Sequence, residues 1–260
     1  MCKVYAVASQ KGGVAKTTTA INMGVDLARK GYKVLLVDAD AQGSLTAGLG
    51  YSQPDSIEKT LANIMEMEVN EEPYEWDYGI LHHPEGVDIL PSNIELSGLE
   101  VSLVGVWSRE KILSRYIEKM RNHYDVIILD SMPSLGLVTI NVFAAADRII
   151  IPVQAAYLSL KGLEQLIKTI GRVKKSLNPG VGIEGIVITM LDIRTNYARD
   201  IVKLLNSAYG DAVRIHKTMI PFSVRAAEAT AEGVSIFMHD PKGKVALAYE
   251  DFTKEVFLNE

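Results

Sequence analysis

The chain has 260 residues, 48% hydrophobic and 23% charged, with a formal net charge of -5. This balance fits a self-folding globular protein and excludes disordered, collagenous and low-complexity classes; the excess of acid removes bulk charge as a source of nucleic-acid affinity. The single cysteine, Cys2, excludes an internal disulfide and a four-thiolate metal centre, so a reducing, cytoplasmic setting is expected; no apolar run reaches the roughly 18–20 residues of a membrane span.

In chain order, short β-branched runs alternate with longer helical periods, the pattern of βαβ units in a parallel sheet. The predicted strands are Val4–Ala8, Lys33–Val37, Val87–Leu90, Val126–Leu129, Arg148–Val153 and Ile183–Thr189. Most are continuously apolar, as strands buried on both faces must be. Helices are predicted over Lys16–Lys30, Arg109–Asn122, Leu160–Leu177, Asn196–Tyr209 and Lys244–Phe257, several closed by a following glycine or Asn-Pro-Gly. The stretch Tyr51–Pro84 is the least regular and is predicted as a helix plus a surface excursion. His82-His83 at its end has no third ligand nearby in sequence, which argues against a metal pair. Without a linker or repeat, residues 1–260 are expected to form one α/β domain, a doubly wound and mostly parallel sheet with helices on both faces.

Three segments carry chemistry. In Val4 to Thr19 a strand runs through Lys11-Gly12-Gly13-Val14-Ala15 into a helix beginning Lys16-Thr17-Thr18. Glycines let backbone N–H groups curl around phosphate oxygens, the helix N-terminus adds its positive dipole end, and Lys16 supplies a full charge. Thr17 is placed to offer its hydroxyl to Mg²⁺. The strict phosphate-loop pattern fails at Gln10 and Ala15, and the Ala15 Cβ is expected either to crowd the β-phosphate or to demand a negative φ. Next, Val37-Asp38-Ala39-Asp40-Ala41-Gln42-Gly43 ends a strand with two carboxylates at a ligand crevice; Asp38 could equally be a capping or turn carboxylate. Third, Val126 to Asp130 is a hydrophobic strand ending in an acid, suited to hold Mg²⁺ through water, followed by a Pro133/Gly136 loop that could sense the γ-phosphate.

Lys11-Gly12-Gly13-x-x-Lys16-Thr17-Thr18 resembles the deviant Walker A signature of the ParA/MinD family of ATPases. The Asp38–Gly43 and Asp130 segments, Val87–Glu100, Thr189–Asn196 and Ile220–Ala229 extend the resemblance over nearly the whole chain. It implies a P-loop NTPase fold, ATP and Mg²⁺ as cofactors, and a nucleotide-sandwich dimer across which Lys11 reaches the partner's phosphates. It further implies Lys11, Lys16 and Asp40 in catalysis, Thr17, Asp38 and Asp130 near the metal, and Lys11 through Thr18 around the phosphates. Met190, Pro221, Phe222 and Ser223 are implied as base contacts. Arg194 matches an arginine linked to nonspecific DNA contact, and Arg199, Lys203, Lys217 and Arg225 could extend that patch.

The resemblance thus points to a partition ATPase: an ATP-bound dimer on nucleoid DNA, with hydrolysis triggered by a ParB-type centromere-binding partner. Two acids of the family's E-x-x-x-L-E-G segment are missing from Ala156–Gly162, which could alter dimer contacts. The main rival is a MinD-type membrane-positioning ATPase, but the tail from Tyr249 is too acidic to favour anionic lipid. An iron-protein type reductase would need bridging cysteines that the chain lacks. The first strand begins almost at once, so an N-terminal helix-turn-helix domain is not expected.

Overall fold

The computed structural model describes residues 2–154, 160–192, 196–210 and 212–258, without the side chains of residues 196–199 and 258. Seven strands form one sheet: β1 (Lys3–Val7), β2 (Val34–Ala39), β3 (Leu81–His82), β4 (Asp88–Leu90), β5 (Val126–Ser131), β6 (Arg148–Gln154) and β7 (Gly182–Thr189). Their spatial order is β3-β4-β2-β5-β1-β6-β7. Every pairing is parallel except the antiparallel β3–β4 edge.

The sheet is covered on both faces, which is why its strands read as unbroken apolar runs. In β5, Ile127 and Leu129 face one core while Val126 and Ile128 face the other. The first core is closed by α3 (Leu61–Asn70), α5 (Ile112–Met120), α6 (Leu137–Ala145), α7 (Leu160–Ser176) and α8 (Asn196–Tyr209). The second is closed by α1 (Lys16–Arg29), α10 (Ile236–His239) and α11 (Lys244–Thr253). In α5 the buried residues Ile112, Leu113, Tyr116, Ile117 and Met120 recur at helical spacing, so one face goes inward.

All six predicted strands and all five predicted helices are present, with ends moved by a few residues. The tail helix stops at Thr253 and gives way to a π turn, Lys254–Leu258, in which Glu255 is tied to the N–H groups of Lys217 and Thr218. Within Tyr51–Pro84 the structure has α3 and also β3, whose two residues are too short to show a period. His82 Nδ1 lies 2.6 Å from Asp88 Oδ1, and no cluster of three or more His, Cys, Asp or Glu side chains placed to hold a metal forms among the described residues. Sequence periodicity missed α6, which is buried on nearly every side and therefore lacks a polar face. It also missed α2 (Ser44–Gly48), α4 (Glu95–Ser102) and α9 (Val224–Glu232), although α9 runs from Ser223 to a left-handed Gly233 that closes it.

Candidate functional site

A cleft of roughly 550 Å³ opens at the carboxyl ends of the central strands. Its floor is the turn between β1 and α1. Gly13 (φ 70°) and Ala15 (φ 62°) both take the left-handed conformation there. The expected negative φ at Ala15 is thus corrected: the loop holds alanine in the geometry a glycine would adopt, at a cost of roughly 1 kcal/mol. This bend leaves α1 without a side-chain cap or an acid in its first turn, so its N–H groups and dipole face the cleft.

Lys16 is the first residue of α1, buried, with Nζ 3.3 Å from the Lys11 carbonyl oxygen. Burial lowers its pKa, and the Asp130 and Asp40 carboxylates oppose that shift. Thr17 donates from Oγ1 to Asp130 Oδ2 at 2.6 Å. Asp130 is itself buried, and its Oδ1 has no hydrogen-bond partner. Burial, then repulsion from Asp38, pushes the Asp130 carboxyl above the usual carboxylate range. An orphaned carboxylate oxygen beside a threonine hydroxyl is a donor set suited to a hard divalent cation.

Asp38 is fully buried and its oxygens are engaged: Oδ1 accepts from the Asp40 N–H, and Oδ2 from the Thr46 N–H and hydroxyl. Burial pushes its pKa up to about 7 against these bonds. Asp38 thus holds the turn that presents Asp40, while Asp130 keeps an oxygen without a hydrogen-bond partner. Asp40 is half-buried at the cleft wall, with Oδ1 accepting from the Gln42 N–H.

The base side is built by the chain beyond β7. Met190 is left-handed (φ 50°), and the segments 188–191 and 220–222 exchange backbone hydrogen bonds. Met190, Pro221, Phe222 and Ser223 line the cleft, as do Gly12, Gly13, Ala15, Thr17 and Thr18. Val14 contributes differently: its carbonyl accepts from the Thr189 hydroxyl at 3.0 Å, tying the phosphate-side loop to the base side. Lys11 lines a separate small pocket beside the cleft with Leu163 and Leu166. Sequence reasoning missed Ala226, Ala227, Thr230 and Tyr249 as wall residues. The adjacent small residues of Ala226-Ala227 were the one available signal; Tyr249 reaches the site only because α11 packs on α1, where its Oη lies 3.3 Å from Thr19 Oγ1.

Of the predicted DNA contacts, Arg194 and the Arg199 side chain lie outside the described residues. Lys203, Lys217 and Arg225 are exposed, and Arg225 Nε lies 3.6 Å from Asp240 Oδ2.

The AAA domain family matches residues 2–183. The sporulation initiation inhibitor protein Soj of Bacillus subtilis is 42% identical over 259 residues, covering 100% of both chains. The chromosome partitioning protein ParA of Caulobacter vibrioides is 37% identical over 260 residues, covering 99% of this chain and 95% of that one. The chain belongs to the ParA-type family of partition ATPases. A solved cobyrinic acid a,c-diamide synthase from Mycobacterium smegmatis, with bound ATP analog and magnesium, shares the fold with TM-score 0.84. It is 34% identical and covers 98% of this chain and 93% of its own. The Thr17–Asp130 contact brings together two residues 113 positions apart in sequence, beside Lys16 at the start of α1.

Proposed function

We propose that the chain binds ATP and Mg²⁺ in this cleft and works as a DNA partition ATPase whose ATP-bound pair sits on DNA. The observation that carries the nucleotide part is the Thr17–Asp130 contact with its open Oδ1, directly below the bare N-terminus of α1. Lys16 and the α1 N–H groups receive the phosphate oxygens, while Thr17 and Asp130 would hold the cation, which when bound neutralises phosphate charge. Asp40, at the wall on the phosphate side, orients the attacking water, and Asp38 fixes the backbone on which Asp40 sits. Met190 and Pro221 to Ser223 receive the base, and Lys11 acts across a pair of copies.

DNA binding by Arg194, with Arg199, Lys203, Lys217 and Arg225 around it, is the finer part of the proposal, as are a ParB-type partner and a nucleoid-associated, cytoplasmic location. Such a patch grips phosphates without reading bases. Among the described residues no helix is long and apolar enough to cross a membrane. The tail does not present an apolar face for a bilayer: Val256 is buried and the Phe257 ring meets Tyr32 at 4.9 Å. Hydrolysis measured with and without duplex DNA tests this function. Turnover with ATP-dependent, sequence-indifferent DNA binding supports it, whereas ATP-dependent capture by anionic vesicles in place of DNA overturns it.

A further inference from the structure

Leu96, Leu99, Glu100 and Leu103 recur at helical spacing along α4 and the turn Leu103–Gly105 that follows it. Leu96 and Leu103 are buried in the first core and Leu99 packs against it, so this face turns inward and takes Glu100 with it. A carboxylate on an inward stripe needs a partner to offset its lost hydration. Glu100 finds one at the start of α6, where its Oε1 accepts from the Val138 N–H at 3.1 Å. Backbone N–H groups in a first helical turn have no acceptor inside the helix, and the helix dipole favours an anion there. The N-cap residue of α6 is Gly136, which has no side chain to serve as a cap, so α4 supplies one. Glycine at this position also admits the carboxylate: a Cβ on Gly136 would collide with Glu100 Oε1, although its φ of -70° suits any residue.

Between β5 and α6 the loop Met132–Leu135 is fastened at both ends. At its start the Ser131 hydroxyl donates to the Val7 carbonyl at 2.9 Å. At its end Glu100 holds the first turn of α6. Between these fastenings Pro133 lines the cleft, and the Gly136 N–H donates to Ser134 Oγ at 3.3 Å. Ser131 is the register partner of Ala39, so Pro133 leaves its strand beside the one that carries Asp40. The loop therefore meets the cleft on its phosphate side, and the grip of Glu100 on α6 sets where Pro133 stands relative to Asp40.

We infer that Glu100 is a positioning residue for ATP hydrolysis: reaching from α4, it caps α6 and thereby holds the Pro133 loop at the terminal-phosphate end of the cleft. The inference rests on ATP occupying the cleft as proposed above. Glu100 is not itself a wall residue of the cleft. Because Ser131 is tied to β1 independently, Asp130 and Thr17 keep their places without Glu100, and so do the groups that receive the inner phosphates. The damage from losing Glu100 falls on the step at the terminal phosphate.

Full-length Glu100→Ala, Glu100→Gln and Gly136→Ala proteins are compared with the parent for phosphate release at saturating ATP and Mg²⁺ and for ADP affinity by calorimetry, at a temperature well below the melting point of each. Glu100→Ala should lower kcat about tenfold while ADP affinity stays within about twofold. Glu100→Gln, whose amide oxygen still accepts from the Val138 N–H, should restore most of the rate. Gly136→Ala displaces the carboxylate from the other side and should reproduce the loss, and combining it with Glu100→Ala should add little. A parental kcat in Glu100→Ala, even with a lowered melting temperature, overturns the positioning role, as does an ADP affinity that falls as far as kcat. Should Glu100→Ala not fold, Gly136→Ala decides by the same two readings. Failure of the parent protein to bind ADP or ATP overturns the nucleotide reading itself, and the inference with it.

Discussion

Asp38 and Asp130 are register partners on the adjacent parallel strands β2 and β5, so two buried carboxylates stand side by side beneath the phosphate loop. Burial raises both above the ordinary carboxylate value, Asp38 to about 7. In the unfolded chain an aspartate ionises near pH 4. Between the unfolded and folded values the folded protein retains protons that the unfolded chain releases, so stability falls as pH rises from about 4 to about 8 and levels off above. A bound divalent cation offsets the repulsion. The urea midpoint without nucleotide should therefore be lower at pH 8 than at pH 5.5, and added Mg²⁺ should narrow the gap. Identical midpoints in metal-free buffer would contradict the carboxylate pair. Glu255 stays outside this window: burial raises its pKa, but the Lys217 and Thr218 N–H groups win and hold it at about 2, so its support is lost only at lower pH.

Three substitutions separate the roles around the phosphates. Lys16→Ala should abolish ATP binding, measured by calorimetry. Lys11→Ala should impair ATP-dependent pairing more than binding. Asp40→Ala should keep ATP and the pair while lowering turnover by about a hundredfold or more; normal hydrolysis in this variant moves the water-orienting role elsewhere.

Ala15→Gly relieves the left-handed penalty without moving a backbone donor. Stability should rise by about 1 kcal/mol, roughly 2–4 °C in melting temperature for a chain of this size, with ATP affinity at least retained. A lowered melting temperature would show that the Ala15 Cβ has packing value outweighing its strain.

Thr189→Val removes the hydroxyl that joins β7 to the Val14 carbonyl while keeping the side chain's shape. The buried carbonyl is left without its donor at a cost of about 1 kcal/mol or more. ATP affinity should drop several-fold, and Thr189→Ser should restore it. Equal affinity in all three proteins would mean that the phosphate and base sides are aligned without this bond.

Arg194→Ala should weaken DNA binding about equally for unrelated duplexes and reduce the salt slope by roughly one for each phosphate that the arginine neutralises. ATP-driven pairing should persist. An unchanged slope, measured by fluorescence anisotropy across salt concentrations, rules out Arg194 as a phosphate ligand.

Legibility differed between covalently adjacent and distant residues. The phosphate loop was readable because Gly12, Gly13, Lys16 and Thr17 act within a few positions of one another, and local spacing dictates local geometry. Asp130 was readable only in combination: a buried apolar strand ending in an acid is common by itself, and its order and spacing after the phosphate loop give it meaning. Tyr249 and the Ala226-Ala227 wall were not, since nothing in their own segments shows which helix they will pack against. The Asp38 role was also hidden: one carboxylate at a strand end can face a ligand or a turn, and only the position of Thr46 decides which.

The sequence by itself determined the alternating β/α order, the doubly covered parallel sheet and the nucleotide loop, because each follows from hydrophobic period and from backbone freedom over short spans. Tertiary structure alone decided that Ala15 is left-handed and that Asp38 turns inward while Asp130 keeps an open oxygen. Those outcomes depend on which distant side chains meet, and the free energies of burial and hydrogen bonding that select among them belong to the packed chain, not to any segment of it.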